Sequence, residues 1–426
     1  MVNSNNVTRK FTMKEKLASL GPGFVIVGSF IGPGTVTSCT LAGATYGFTL
    51  FWCVVFSVIA VIVMQGMAAR IGIITQEGLA ENMKHDFADR PLLRNILCGL
   101  VIIAITIGGL AYMGGDLTGT AMGASALTGV PTRIMAPILG VIVLIVLLFV
   151  GDAVKYLEKL LSVCVTLMAI VFLMTMLIVR PDFGELLRGC IPTVPKGGLM
   201  TCLSLIGTTV VPYNMFLHAA SAQRTWHTKE ELPLCGTTVP MIIGGVITGS
   251  IMITSAVVMR GMSVNNAMDM AVQLEGTLGR FAQPFMALGL LSAGISSALC
   301  SPISVSYVLA GLFDWKTDGS DKRFLGTSAI ILIVGIIISA IGTNPLALIM
   351  TAQAVNGIAL PVVVGVTLYL ASRQRIMGEY KNSMLQNIIG LMIFAISLIL
   401  GISSFIGVFA GIVSHGDMLR KKGALL

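Results

Sequence analysis

Charge is scarce in this chain of 426 residues. Asp, Glu, Lys and Arg together make up 11% of it, against about 25% in soluble domains. Residues 17–69 contain none of the four, apolar residues make up 55%, and the mean hydropathy is +0.92. A soluble enzyme or a soluble nucleic-acid-binding domain is therefore excluded, and the composition indicates a polytopic membrane protein.

Metal-ligating and redox patterns are also absent. The eight cysteines are scattered and no two form a Cys-x-x-Cys pair, while the four histidines are too dispersed for a zinc set. We therefore expect the cysteines to pack as small apolar residues and expect no cofactor. We read the net charge of +8 as a topology signal and expect no nucleic-acid partner and no obligatory protein partner.

Long apolar runs fill the rest of the chain. At about 20 residues per crossing they predict an all-α protein with about eleven transmembrane helices. We expect an N-terminal tail without a removable signal peptide, five helices, a second set of five helices, one additional helix and a C-terminal tail. The predicted bounds of these parts are 1–20, 21–180, 199–372, 385–413 and 414–426.

The basic residues predict the orientation. With eleven crossings, 18 Lys and Arg fall on the side of the N-terminus and nine on the opposite side. Because basic residues in short loops stay in the cytoplasm, the N-terminus is predicted to be cytoplasmic and the C-terminus extracytoplasmic. The expected location is the inner (plasma) membrane, with the lipid bilayer as the chain's surroundings.

Two predicted helices contain a helix-breaking sequence. Gly32-Pro33-Gly34 interrupts the first apolar run and Val211-Pro212 interrupts the sixth. The sixth run lies five helices after the first, and because five is odd the second set enters the membrane from the opposite side. Broken helices at matching positions of two inverted halves are typical of a transporter's binding site at the membrane midplane.

Asp116 is the one acidic residue predicted to lie deep in a span. A carboxylate at that depth costs at least about 2.5–3.5 kcal/mol, so we expect it to face a cavity or a partner. The alternative is a protonated Asp116 bonded to Thr118, Thr120 or a neighbouring helix. Gln353 and Asn356 share one face of the tenth span, as Asn214 and His218 share one face of the sixth. Oxygen ligands without a buried Lys or Arg favour a hard divalent cation.

Several motifs together resemble the Nramp family of divalent-metal transporters over nearly the whole chain. The resemblance implies a leucine-transporter-like 5+5 fold with metal held between broken helices 1 and 6, helped by Gln353. The matching segments are Gly32-Pro33-Gly34-Thr35 with 41–47, Val211-Pro212-Tyr213-Asn214 with His218, 291–297, and Ala352-Gln353 with Leu360-Pro361.

The departures from the family pattern fall at the expected metal site. Gly32 stands where the family has its metal-binding Asp, Thr35 replaces an Asn, and Val211 replaces a Met. Thr208 replaces an Ala and Tyr213 a His. This pattern resembles the Nramp-related magnesium transporters of prokaryotes. Loss of the thioether removes a preference for softer metals, and loss of titratable groups removes a route for protons.

The sequence therefore predicts a transporter, not an enzyme, which takes up Mg²⁺, and also Mn²⁺, as a largely hydrated substrate ion without proton coupling. Two alternatives stay open: a proton-coupled Mn²⁺ or Fe²⁺ transporter of the same family, and a carrier of amino acids or organic cations with the same fold. His218 is assigned a possible pathway or gating role. The predicted binding residues are Gly32, Thr35, Asp116, Thr208, Val211, Tyr213, Asn214, Gln353 and Asn356.

Overall fold

The computed structural model describes residues 20–149, 151–228, 237–317, 321–342 and 344–423, without the side chains of residues 21, 22, 25, 151–162 and 404–423. Nearly all of the predicted N-terminal tail, with the four basic residues that support a cytoplasmic N-terminus, lies outside these ranges. The same is true of residues 424–426 at the other end.

Helices form all the regular structure in the described ranges. Eighteen α-helices follow one another, with three short 3₁₀ turns between some of the smaller ones. In chain order they are α1 (Gly21–Phe30), α2 (Pro33–Tyr46), α3 (Phe51–Thr75), α4 (Leu79–Asp86), α5 (Pro91–Thr128), α6 (Thr132–Phe149), α7 (Gly151–Val179), α8 (Phe183–Arg188), α9 (Leu199–Thr209), α10 (Pro212–Thr225), α11 (Thr238–Val258), α12 (Ala267–Ala271), α13 (Glu275–Leu278), α14 (Ala282–Phe313), α15 (Lys322–Ile341), α16 (Pro345–Ser372), α17 (Gln374–Met377) and α18 (Met384–Gly423).

The predicted spans are present. Among the described residues, nine helical segments are long and apolar enough to cross a membrane, counting α9 with α10 as one. The other two predicted spans correspond to α1 with α2, which are each too short to cross a membrane alone, and to α7, which contains the apolar run Val163–Val179. The prediction of an all-α multi-pass membrane protein is thus confirmed. The last helix continues to Gly423. It therefore extends past residue 413, where the apolar run and the predicted helix end.

Local sequence signals explain several helix ends. Proline occupies the first position of α2, α5, α10 and α16, where its fixed φ suits a helix and its missing N–H is not needed. The 38-residue helix α5 ends at Gly129, which adopts a left-handed conformation (φ 74°). Asn344 begins α16 by accepting a hydrogen bond from the backbone N–H of Ala347 at 3.1 Å.

The long helices α5, α14 and α16 form the centre of the molecule. Helix α5 packs against both α14 and α16. The broken helices contact this centre: α9 packs on α16, while α2 touches α5, α14 and α16. Helix α2 also packs against α11, and α10 packs against α3. Both helix breaks are therefore held inside the bundle.

Candidate functional site: two broken helices and a buried carboxylate

The first break separates α1 from α2. Ile31 adopts φ −81° and ψ 76°, and Gly32 is extended (φ −116°, ψ −173°), after which Pro33 starts the next helix. The hydroxyl of Thr35 turns back and donates to the carbonyl oxygen of Phe30 at 2.5 Å. One carbonyl at the end of α1 is thereby satisfied by a side chain inside the bundle, which a break in a membrane helix requires.

The second break separates α9 from α10 and begins with nearly the same backbone as the first. Val210 adopts φ −95° and ψ 71°, close to the values of Ile31, and Val211 is extended (φ −76°, ψ 120°) before Pro212. The residue that would match Gly32 here carries an apolar side chain, and Val211 is fully buried. The backbone N–H of Asn214 donates to the carbonyl of Val211 at 3.2 Å.

Two hydrogen bonds join the broken helices to each other. The hydroxyls of Thr35 and Thr208 are 2.9 Å apart, which ties α2 to α9. The amide nitrogen of Asn214 donates to the hydroxyl of Ser29 at 2.7 Å, which ties α10 to α1. Ser29 and Thr35 lie three residues on either side of Gly32, and Thr208 and Asn214 lie three residues on either side of Val211. Each bond thus joins the residue three positions after one break to the residue three positions before the other, so the two bonds are crossed.

Asp116 lies beside the first break. It is fully buried in α5, and its Oδ2 atom accepts a short hydrogen bond from the hydroxyl of Ser297 in α14. Its Oδ1 atom has no hydrogen-bond partner among the described residues. A Cβ atom built on Gly32 would lie 3.7 Å from that Oδ1 and 3.7 Å from the Ser297 hydroxyl. The structure therefore brings Asp116 and Gly32 together. The hydrogen-bond partner of Asp116 is on the neighbouring helix α14.

Gln353 touches both broken helices. A Cβ atom on Gly34 would lie 2.1 Å from the Gln353 Nε2 atom, and one on Gly207 would lie 2.0 Å from the Gln353 backbone carbonyl oxygen. Glycine is required at Gly207 because the backbones of α9 and α16 approach so closely, whereas at Gly34 the close neighbour is the Gln353 side chain. The Oε1 and Nε2 atoms of Gln353 are both buried without a hydrogen-bond partner in the described part of the chain.

Two aromatic rings close one side of the site. Tyr213 packs edge-on against Tyr112, with ring centroids 5.7 Å apart and an interplanar angle of 88°. The hydroxyls of Tyr213 and Ser301 are 2.5 Å apart. Tyr112 lies four residues before Asp116 on the same face of α5, and its hydroxyl is buried without a hydrogen-bond partner among the described residues.

The remaining predicted residues lie further from the breaks. Asn356 faces α5 at Gly108, where a Cβ atom would be 2.9 Å from its Oδ1 atom, and both of its amide atoms are buried without a partner within the described residues. His218 is fully buried, with its Nδ1 atom 3.1 Å from the Oε1 atom of Gln65 in α3. The role of His218 in the pathway stays a prediction.

Sequence reasoning missed the small polar residues that complete the site. Ser29, Ser297 and Ser301 each bond a predicted site residue, and Tyr112 packs on another. The spacing of Tyr112 and Asp116 could have indicated their shared helix face. Serine is common in membrane helices and often bonds its own backbone, so no local signal separates these serines from the others.

The family model described as "Natural resistance-associated macrophage protein-like" (Nramp) matches residues 23–407. The chain is 28% identical to "Metal transporter Nramp3" of Oryza sativa subsp. japonica, in an alignment that covers 99% of this chain and 82% of that protein. It is 25% identical to "Divalent metal cation transporter MntH" of Klebsiella pneumoniae subsp. pneumoniae, with 96% and 98% covered.

Solved structures show the same fold. A variant of the manganese transporter of Eremococcus coleocola superposes with a TM-score of 0.77 at 20% identity, covering 99% of this chain and 95% of that one. The structure of MhsT in complex with L-phenylalanine gives a TM-score of 0.57 at 17% identity, covering 91% and 98%.

Fold and site thus define a multi-pass membrane transporter of the leucine-transporter-like class rather than an enzyme. Within that class, the chain belongs to the Nramp family.

Proposed function

We propose that this protein takes up divalent metal ions, chiefly Mg²⁺ and also Mn²⁺, as largely hydrated ions, by alternating access and without proton coupling. Transport of divalent metal is the activity by which its relatives are named, as in "Divalent metal cation transporter MntH". The choice of ion and the absence of proton coupling are inferred from the side chains at the two breaks.

The carrying observation is a set of buried oxygen acceptors that lack hydrogen-bond donors within the described residues. These atoms are Oδ1 of Asp116, Oδ1 of Asn214, Oε1 of Gln353 and Oδ1 of Asn356. A buried acceptor left unpaired costs about 1–3 kcal/mol. The water molecules around a hydrated cation are hydrogen-bond donors, so these acceptors are suited to holding an ion through its first shell of water. Mg²⁺ loses that shell reluctantly, which favours it as the substrate.

Gly32 supports a water-mediated contact. The direct neighbours of its absent side chain are Asp116 and Ser297, both at ordinary contact distance from a Cβ atom. A carboxylate at this position would have room to bind an ion directly. Glycine leaves the volume of that side chain free for water. A water molecule that bridges two polar groups is nearly as favourable enthalpically as a direct hydrogen bond, so a water of the ion's shell can donate to Asp116.

Val211 and Tyr213 support the same assignment. A buried valine offers no soft ligand to distinguish Mn²⁺ or Fe²⁺ from Mg²⁺. Tyr213 contributes a phenol, whose ordinary pKa near 10 makes it a poor proton carrier at neutral pH, and its hydroxyl is already bonded to Ser301. The driving force would be the metal gradient and the membrane potential, about 4.6 kcal/mol for a divalent ion at 100 mV.

The test uses the full-length protein in liposomes that contain both a magnesium-sensitive and a pH-sensitive dye. We expect an inward Mg²⁺ gradient with a negative interior potential to produce Mg²⁺ influx without acidification of the lumen. The control is protein-free liposomes with a proton ionophore added at the end, which confirms that the pH dye responds. Acidification in fixed proportion to metal influx would contradict the proposal.

Proton-coupled Mn²⁺ transport is the second candidate, since a structural neighbour is titled a manganese transporter. The same liposomes distinguish the two functions. Preferential uptake of micromolar Mn²⁺ in the presence of millimolar Mg²⁺, together with lumenal acidification, would favour this second function.

A further inference from the structure

A crevice of about 450 Å³ opens on the membrane-facing surface, away from the two breaks. It lies where the start of α5, the end of α16 and helix α18 meet. Its walls are apolar and are formed chiefly by Leu93, Leu97, Leu100, Val362, Val366 and Phe394. Leu93 and Leu100 are 38% and 47% exposed, so the crevice is open to the hydrocarbon region of the bilayer.

Two arginines line the same crevice at its polar end. Arg90 directly precedes α5 and Arg373 directly follows α16, so both lie where a span ends and headgroups begin. Arg90 is exposed and has no ion pair within the described ranges. By the predicted topology this end of the molecule carries the excess of basic residues.

Arg373 is held in place by its neighbours. Its guanidinium lies 4.4 Å from the centroid of the Tyr369 ring and donates to the Tyr369 hydroxyl at 2.5 Å. That hydroxyl donates in turn to Asp86 at 2.8 Å, and Phe87 stacks on the same ring with centroids 5.2 Å apart. The remaining N–H groups of the guanidinium stay available, because arginine has five donors.

The acids near the mouth are already engaged. Asp86 accepts from Tyr369, and Asp89 pairs with Arg375 at 3.8 Å. An apolar crevice that ends in two arginines matches the two parts of an anionic phospholipid, since guanidinium groups bind phosphate by paired hydrogen bonds. Basic pockets between transmembrane helices are known sites for anionic headgroups.

We propose that this crevice binds one anionic phospholipid, with an acyl chain along Leu97 and Val366 and the phosphate between Arg90 and Arg373. A zwitterionic lipid would place its own cationic group near two guanidinium groups, and so binds less well. The lipid thereby joins the start of α5, which carries Asp116, to the end of α16, which carries Gln353.

The test is native mass spectrometry of the full-length protein, released from detergent after incubation with equal amounts of phosphatidylglycerol and phosphatidylcholine of identical acyl chains. We expect the wild type to retain one phosphatidylglycerol preferentially. Arg90→Gln with Arg373→Gln should reduce that preference by about fivefold for each arginine. The matched control, Arg188→Gln with Arg280→Gln, removes two exposed arginines at the predicted opposite end and should leave the preference unchanged.

Leu97→Trp tests the crevice itself. Both arginines remain, but the larger side chain fills the apolar channel, so phosphatidylglycerol retention should fall as in the double arginine variant. Equal retention by wild type and double arginine variant would overturn the proposal. So would full retention by Leu97→Trp, or displacement of the lipid by inorganic phosphate at matched concentration, because either would place the binding energy outside the apolar crevice.

Discussion

The two helix breaks begin with nearly the same backbone and differ in chemistry. Ile31 and Val210 adopt nearly equal dihedral angles, and a proline restarts the helix two residues later in each case. The side chains differ at two matching positions: Gly32 corresponds to Val211, and Thr35 corresponds to Asn214. The break is thus a shared architectural element, while the side chains around it determine what the site binds.

The first break is where that difference has most consequence. It has an empty side-chain position next to Asp116, the one carboxylate that the described structure places at either break. The second break offers an apolar residue and an amide. Under the proposed function, a site with one acid and several neutral acceptors would hold an ion weakly and through water, which suits an ion present at high concentration.

The largest effect should come from adding one methyl group at Gly207, in the helix that leads to the second break. In Gly207→Ala the new Cβ would lie 2.0 Å from a backbone oxygen of Gln353, and backbone cannot move aside as a side chain can. We expect a loss of stability of about 1–3 kcal/mol or more, seen as a lower apparent melting temperature in detergent. Gly32→Ala is the matched control and should melt like the wild type, since its neighbours lie 3.7 Å away.

Asp116→Asn should reduce Mg²⁺ uptake next most strongly. Hydrogen bonds to charged groups contribute about 1.5–3 kcal/mol, which corresponds to a loss of roughly tenfold or more in apparent affinity. The measurement is the initial rate of Mg²⁺ influx in liposomes against concentration. Asp89→Asn, at an exposed acid, serves as the control. Unchanged uptake by Asp116→Asn would show that the Asp116 carboxylate does not contribute to Mg²⁺ binding.

Gly32→Asp should allow the first break to bind the metal ion directly through a carboxylate. The added carboxylate would lie next to Asp116 and could bind an ion directly. Because Mg²⁺ loses its water reluctantly, uptake of Mn²⁺ relative to Mg²⁺ should rise. Close carboxylates raise the pKa of one of the pair. A proton must then leave before metal binds, so uptake should rise as pH increases from about 5 to 8. Gly32→Asn is the neutral control and should show neither change.

The smallest effects should come from the two crossed hydrogen bonds. Double-mutant cycles with Thr35→Val and Thr208→Val, and with Ser29→Ala and Asn214→Ala, should each give a coupling energy of about 0.5–1.5 kcal/mol in apparent Mg²⁺ affinity. If only one pair couples, the two bonds do not contribute equivalently to ion binding. Zero coupling in both cycles would mean that these bonds hold helices together without affecting the ion.

The sequence predicts the breaks and the spans because their signals are local. Gly32-Pro33-Gly34 and Val211-Pro212 disrupt a helix wherever they occur, and apolar run length follows membrane thickness. The buried position of Asp116 follows from the apolar run around it. The Ser297 hydroxyl beside Asp116, and the bond from Asn214 to Ser29, could not be predicted. They depend on which helices become neighbours, and a serine has the same local pattern whether it binds another helix or its own backbone.

The central claim is that the site holds a cation through its water shell. The most direct measurement is competition by cobalt(III) hexaammine, a cation whose ammine ligands do not exchange and therefore occupy the place of water. We predict that it inhibits Mg²⁺ influx by the wild type in liposomes at concentrations comparable to that of Mg²⁺, and inhibits Gly32→Asp much less. Unimpaired Mg²⁺ influx in a large excess of this complex would contradict the account.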